Sequence, residues 1–198
     1  LAAAAIVEIR LRPDPLVVAG GVGSNDQDTR LPFSAALGLI LANSKARLAV
    51  FGMMVSQATM VATMTLTPLH MNDGGQTNGA ISIMLFSHIL GMYAFSPLVG
   101  RLADQLGRYP MLIVSGVLCV AGALWAGFTP PEGFIGITGG QTVLGFAWCF
   151  GVIAASGLLT DAFPVEQRAS VQGAGDMCMM AFGAVAGISA GAIVSYRS

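Results

Sequence analysis

The chain has 198 residues and a formal net charge of −1, with 55% hydrophobic and only 10% charged residues, and its mean hydropathy is +0.74. An average soluble domain carries roughly 25% charged residues, so this composition excludes a water-soluble globule and points to lipid as the solvent for most of the surface. The near-neutral charge gives no electrostatic footprint for nucleic acid.

Residues 1–9 are apolar but lack a starting Met, a positive n-region and a cleavage motif. They read as the tail of a transmembrane helix, not as a signal peptide. Residues 10–47 carry Pro, Gly, Asn and Asp and form a linker too polar at its start to span. Within it, residues 33–42 suit a short interfacial helix with Lys45 and Arg47 at the headgroups; a loop packed on protein is the other reading.

Five stretches then reach the roughly 20 apolar residues a bilayer crossing needs: 48–69, 79–100, 109–128, 134–159 and 169–194. The connections HMNDGGQTN, GRLADQLGR, TPPEG and TDAFPVEQR separate them. The predicted fold is an all-α, polytopic transmembrane helix bundle with five full spans, residues 48–198, plus the tail of a sixth. Alternating sides put Arg10, Arg12, Arg30, Lys45, Arg47, Arg101, Arg108 and Arg168 together and leave only Arg197 opposite, so eight of the nine cationic side chains share one side. The positive-inside rule places that side, with loops 10–47, 101–108 and 161–168, in the cytoplasm. Cys119, Cys149 and Cys178 stand in apolar runs without metal-ligand spacing and read as small packing residues. No cofactor or metal site is expected.

The connection between the second and third stretches is Gly100-Arg-Leu-Ala-Asp104-Gln-Leu-Gly107-Arg108. It resembles the signature loop of the major facilitator superfamily, G-x-L-A-D-x-x-G-R. Gly100 and Gly107 suit a tight reversal and close backbone approach. Asp104 and Arg108, four apart, can pair on one helical turn. The resemblance implies that Asp104 also faces a helix N-terminus in the other half of the transporter, a contact broken when the halves rock. A second loop, Asp161-Ala-Phe-Pro164-Val-Glu166-Gln-Arg168-Ala, is similar to that family's P-x-E-x-R-A segment. The resemblance implies a charge cluster of Asp104, Arg108 and Asp161, with Arg168 a further member; for Asp161, an exposed helix-end residue is the alternative. The cytoplasmic linker ahead of the first stretch is like the one between the family's sixth and seventh helices. The five spans then correspond to helices seven to eleven of a bacterial-type member in the inner membrane, and the N-terminal half is a missing partner.

Inside the spans, ionisable groups are costly and usually face a cavity or a partner. Asp176, about two turns into the last stretch, suits a proton-coupling carboxylate; a packing acid bonded to a neighbouring span and a helix-terminus residue are the alternatives. His88 sits mid-span as either a proton-linked group or a hydrogen-bonded packing histidine. His70, beside Asn72 and Asp73, is expected to be solvated at the outer mouth. Gln57 and Gln141 either line a cavity or bridge helices, and Gln172 shares the face of Asp176. Gly183, Gly187 and Gly191 form a small-residue ladder for helix packing. Met177, Met179 and Met180 form an adaptable apolar wall or a lipid contact.

These features predict transmembrane transport of a small solute by alternating access, with protons as a coupling partner. The alternative is a non-transporting fragment, or a half-transporter that needs a second chain. An intramembrane enzyme is disfavoured: Ser115-Gly116 and Ser156-Gly157 lack a Gly two before the Ser, and neither H-E-x-x-H nor a P-loop is present.

Overall fold

In hydrocarbon every backbone N–H and C=O must be satisfied within the protein, which leaves the helix as the natural crossing element for sequences like these. The computed structural model describes residues 31–195, and those residues form helices joined by short turns. The predicted helix tail at 1–9, the linker up to residue 30, and Arg197 lie outside the described residues.

Seven helices follow in chain order. They are α1 (Phe33–Ala42), α2 (Ser44–Asp73), α3 (Asn78–Tyr93), α4 (Ser96–Leu106), α5 (Arg108–Phe128), α6 (Phe134–Asp161) and α7 (Val165–Ser195). With α3 and α4 counted as one crossing over Asn78–Leu106, five are long and apolar enough to span. α1 is helical, and its Ala36 and Ile40 are buried against α2 and α7. Leu31 N–H donates to Ser170 Oγ at 3.1 Å, tying the approach to α1 onto α7.

The helices begin and end on local chemistry. Asn43 Oδ1 caps α2 by accepting from Lys45 N (3.0 Å) and Ala46 N (3.3 Å). Along α2, Thr59, Thr63, Thr65 and Thr67 each donate their hydroxyl to the carbonyl four residues back. Their polar groups are therefore satisfied in an apolar setting. The second span is broken, where the hydropathy pattern predicted a continuous helix. α3 stops at Tyr93, Ala94 and Phe95 form a turn, and Pro97 lies in the first turn of α4. Proline has no N–H to bond the carbonyl four residues earlier, here that of Tyr93. Ser96 Oγ donates to that Tyr93 carbonyl instead, at 2.8 Å.

Lipid tails are as apolar as the side chains, so these helices associate by close packing and polar contacts and not by expulsion of water. α6 is the central helix, touching α2, α3, α4, α5 and α7, while α7 runs along α2 and α5 lies chiefly on α6. The spans α3, α6, α2 and α7 are thus successive neighbours. Buried small residues of α6, including Gly140, Gly145, Ala147, Gly151, Ala154 and Ala155, make this closeness feasible. Of the glycine ladder on α7, Gly183 packs on Gln57 and Val61, and Gly187 on Val61, whereas a Cβ at Gly191 would meet nothing within 4 Å. Cys119 and Cys149 are buried and Cys178 half-buried, all as free thiols.

Candidate functional site

Two turns close the same end of the bundle, and the charged residues gather there. Gly107 takes φ +94° and ψ 160°, open to glycine but strained for residues with a Cβ, and so separates α4 from α5. Asp104 lies in the last turn of α4, and Arg108 is the first residue of α5. Arg108 Nη1 and Asp104 Oδ1 pair at 2.7 Å. The pair forms, but across a turn between two helices and not on one helical turn. Gly100 is likewise corrected: it lies within α4, and a Cβ there would meet nothing within 4 Å, so the reversal belongs to Gly107 alone.

Arg108 also reaches α6, donating from Nε to Asp161 Oδ2 at 3.4 Å. A cation at a helix N-terminus and an anion at a C-terminus each oppose the macrodipole, by about 0.3–1 kcal/mol at the surface. Arg108 begins α5 and Asp161 ends α6, so each neutralises the other's adverse position. The side chains of Asp104 and Asp161 are 68% and 57% exposed. Exposed pairs of this kind are worth under ~1 kcal/mol, weak enough to open and reform. Gly157, one turn before Asp161, lies against the Arg108 side chain; a Cβ there would come within 2.7 Å of Nε. Arg168 does not join the cluster. Its Nε donates to the Phe163 carbonyl at 3.0 Å and steadies the turn into α7. Glu166 sits in the first turn of α7, the favourable end for an anion.

The polar candidates singled out inside the spans fall into three groups. Gln57 is buried and bridges three helices: its Oε1 accepts from Trp148 Nε1 at 2.8 Å, and its Nε2 lies 3.8 Å from Met180 Sδ. Toward the other end, His88, Gln141 and Thr67 join α3, α6 and α2. His88 Nδ1 donates to the Gln141 carbonyl at 2.7 Å, and Gln141 Nε2 donates to Thr67 Oγ1. A carbonyl can only accept, so Nδ1 carries a proton. Nε2 of His88 and Oε1 of Gln141 are buried without a partner among the described residues. The third group is Asp176 with Gln172, whose Nε2 donates to Asp176 Oδ1 at 2.9 Å along α7. α7 starts at Val165, so Asp176 is about three turns inside, deeper than the sequence suggested and away from the helix terminus. Among the described residues its hydrogen bond is to its own helix, not to a neighbouring span.

His70 is half-buried, not solvated: its Nε2 meets the Thr129 carbonyl at 3.0 Å. Gln76 Nε2 donates to the Pro131 carbonyl at 2.8 Å, so the two turns at that end clasp each other. The three methionines divide, with Met179 buried and Met177 and Met180 exposed. Sequence reasoning missed Gly157 and Trp148. For Trp148 a signal existed: tryptophan favours the membrane interfaces, and this one stands mid-span. Among the described residues no group of three or more His, Cys, Asp or Glu side chains is placed to hold a metal ion.

A family model described as Major Facilitator Superfamily matches residues 48–198. The chain is 34% identical over 197 residues to the uncharacterized MFS-type transporter YdeG of Bacillus subtilis, covering 99% of this chain and 46% of that protein. It is 31% identical over 195 residues to the uncharacterized MFS-type transporter YddS of the same organism, covering 98% and 45%. It is 30% identical over 160 residues to the riboflavin transporter RfnT of Brucella anthropi, covering 80% and 39%. The chain thus spans less than half the length of these relatives. No solved structure matches it.

Proposed function

The chain belongs to the Major Facilitator Superfamily, and we propose from that premise that its five spans form the C-terminal bundle of a transporter moving a small solute by alternating access. The solute path would run between this bundle and the part of the protein that the relatives carry beyond the matched region. The observation that carries the reading is the Asp104–Arg108–Asp161 cluster at the Gly107 turn. Its ion pairs are individually weak, and its most exposed member, Asp104, keeps a face free for a contact outside this bundle. A gate needs such contacts: strong enough to bias one state, weak enough to break in each cycle. The eight-to-one bias of Lys and Arg supports placing this end in the cytoplasm of a bacterial cell. The name of the Brucella relative makes riboflavin a first solute to assay.

Coupling to protons would rest on Asp176 rather than His88. Among the described residues, a charged His88 would be buried with no carboxylate partner, whereas Asp176 is half-buried and hydrogen-bonded only to Gln172. His88, Gln141 and Gln57 act here as bridges between helices. The test is transport by the full-length protein in proteoliposomes under an imposed pH gradient. Asp104→Asn should insert normally and slow transport about tenfold, the effect of losing roughly 1.4 kcal/mol from one charge-assisted contact. Asp176→Asn should remove the dependence on the gradient while leaving solute exchange. Unchanged transport in the first variant would overturn the gate, and an unchanged gradient response in the second would overturn the coupling assignment.

A further inference from the structure

At the middle of four successive spans, one side chain from each meets its neighbour. Tyr93 of α3 and Trp148 of α6 lie edge to face, with centroids 5.8 Å apart and planes at 66°. Trp148 Nε1 donates to Gln57 of α2, and the other end of that amide reaches Met180 of α7. Gln57 is 7% exposed, while Tyr93 and Met180 are 57% and 54% exposed. The buried amide therefore fixes the indole plane and leaves an aromatic and thioether surface open. Tyr93 ends α3 at the break in the second span, so its backbone is held by the Ser96 hydroxyl and not by a continuing helix.

Lipid contact does not account for this surface. Between Ile113 and Leu124 the large exposed side chains of α5 are Ile, Val and Leu, its exposed aromatics Tyr109, Trp125 and Phe128 stand toward the helix ends, and α5 carries no charge after Arg108. The Tyr93–Trp148 surface instead has a hydrogen-bonded indole, a phenol and, one turn from Met180 on the same face of α7, the Asp176 carboxylate.

We propose that Tyr93 and Trp148, oriented by Gln57 and bordered by Met180, form a solute-binding wall for a planar heteroaromatic molecule, neutral or cationic; this rests on the transport reading above. The chemistry selects the class. A sugar site needs many free hydrogen-bonding groups, but the indole N–H and the Gln57 oxygen are engaged with each other, and the Gln57 Nε2 is buried beside the Met180 sulfur. What remains is ring area for stacking, a polarizable sulfur that favours aromatic edges, and one phenol. The nearby carboxylate disfavours an anionic solute.

The test uses the purified full-length protein in detergent, with 9-aminoacridine as the planar probe and cyclohexylamine as a cation without a ring face to stack. Saturable binding of 9-aminoacridine is expected, with cyclohexylamine failing to compete. Trp148→Ala should weaken binding about tenfold, the upper range of one aromatic pair, and Trp148→Phe should weaken it less. Gln57→Leu should also weaken binding, since the indole loses its anchor. Binding that is absent, non-saturable or indifferent to Trp148→Ala overturns the wall, provided the variant stays monodisperse; if it does not, Trp148→Phe and Gln57→Leu decide, and indifference of both overturns it. Should a different solute be transported and slowed by Asp104→Asn, the wall falls while the transporter reading stands. Aromatic binding lost in Trp148→Ala, together with no effect of Asp104→Asn on transport, would remove the gate and keep the wall.

Discussion

At the scale of single residues, the charge cluster depends on an absence. Arg108 reaches Asp161 because Gly157 has no side chain where the guanidinium stem lies, and an added Cβ would sit 2.7 Å from Nε and 2.9 Å from Cζ. Arginine is long and flexible, so Gly157→Ala should fold normally; alanine is also the better helix former. The cost falls on the ion pair, which must open as the guanidinium swings away. Because such a pair contributes under ~1 kcal/mol, transport should slow by about fivefold or less. Gly157→Ala and Asp161→Asn remove the same contact, so the double variant should be no slower than Asp161→Asn alone. Rates that fall additively in this cycle would show that Gly157 acts elsewhere.

At the scale of helices, α3 and α6 cross with their backbones nearly touching. A Cβ on Gly145 would collide with the His88 carbonyl oxygen, and one on Gly91 would lie 2.8 Å from the Thr142 carbonyl oxygen. The His88–Gln141 bond needs that closeness. Gly145→Val should push the helices apart and destabilise the bundle by about 1–3 kcal/mol, as overpacking does. A fall in the thermal midpoint of the purified protein would register it, whereas Gly100→Ala, within α4 and facing open space, should leave the midpoint unchanged or slightly raised, alanine being the better helix former. Equal midpoints for both would refute the crossing. The existence of these helices was legible because hydropathy sums over about 20 residues. The break was not: Pro68 sits inside an unbroken α2 while Pro97 follows an interruption, so proline alone does not decide. The contacts of the site were less legible still. Asp104–Arg108 followed from their spacing, and Asp161 from the resemblance of its loop. Gly157, Trp148 and the failure of Arg168 to join the cluster depend on how each helix is rotated about its axis. Spans that are apolar on nearly every side carry little record of that rotation.

At the scale of the whole bundle, the assignment of sides rests on an odd number of crossings between the cationic loops and the far end. α5 is the tightest link in that count. Its 21 residues at 1.5 Å each cover about 30 Å, the thickness of the hydrocarbon core. It therefore crosses with little to spare, and the turn at Gly107 and the turn at Pro130 must lie on opposite surfaces. Gln105, in the last turn of α4 beside Gly107, and Glu132, on the turn after Pro130, are exposed. In a full-length protein freed of other cysteines, Glu132→Cys should react in intact cells with a membrane-impermeant thiol reagent. Gln105→Cys should react only after the membrane is opened. The reverse pattern would invert the bundle and put the Asp104 cluster outside, where the positive-inside bias would have failed. Reaction of both in intact cells would mean that α5 does not cross, and the five-span arrangement, with the mid-depth placement of Gln57, Trp148 and Asp176, would fail with it.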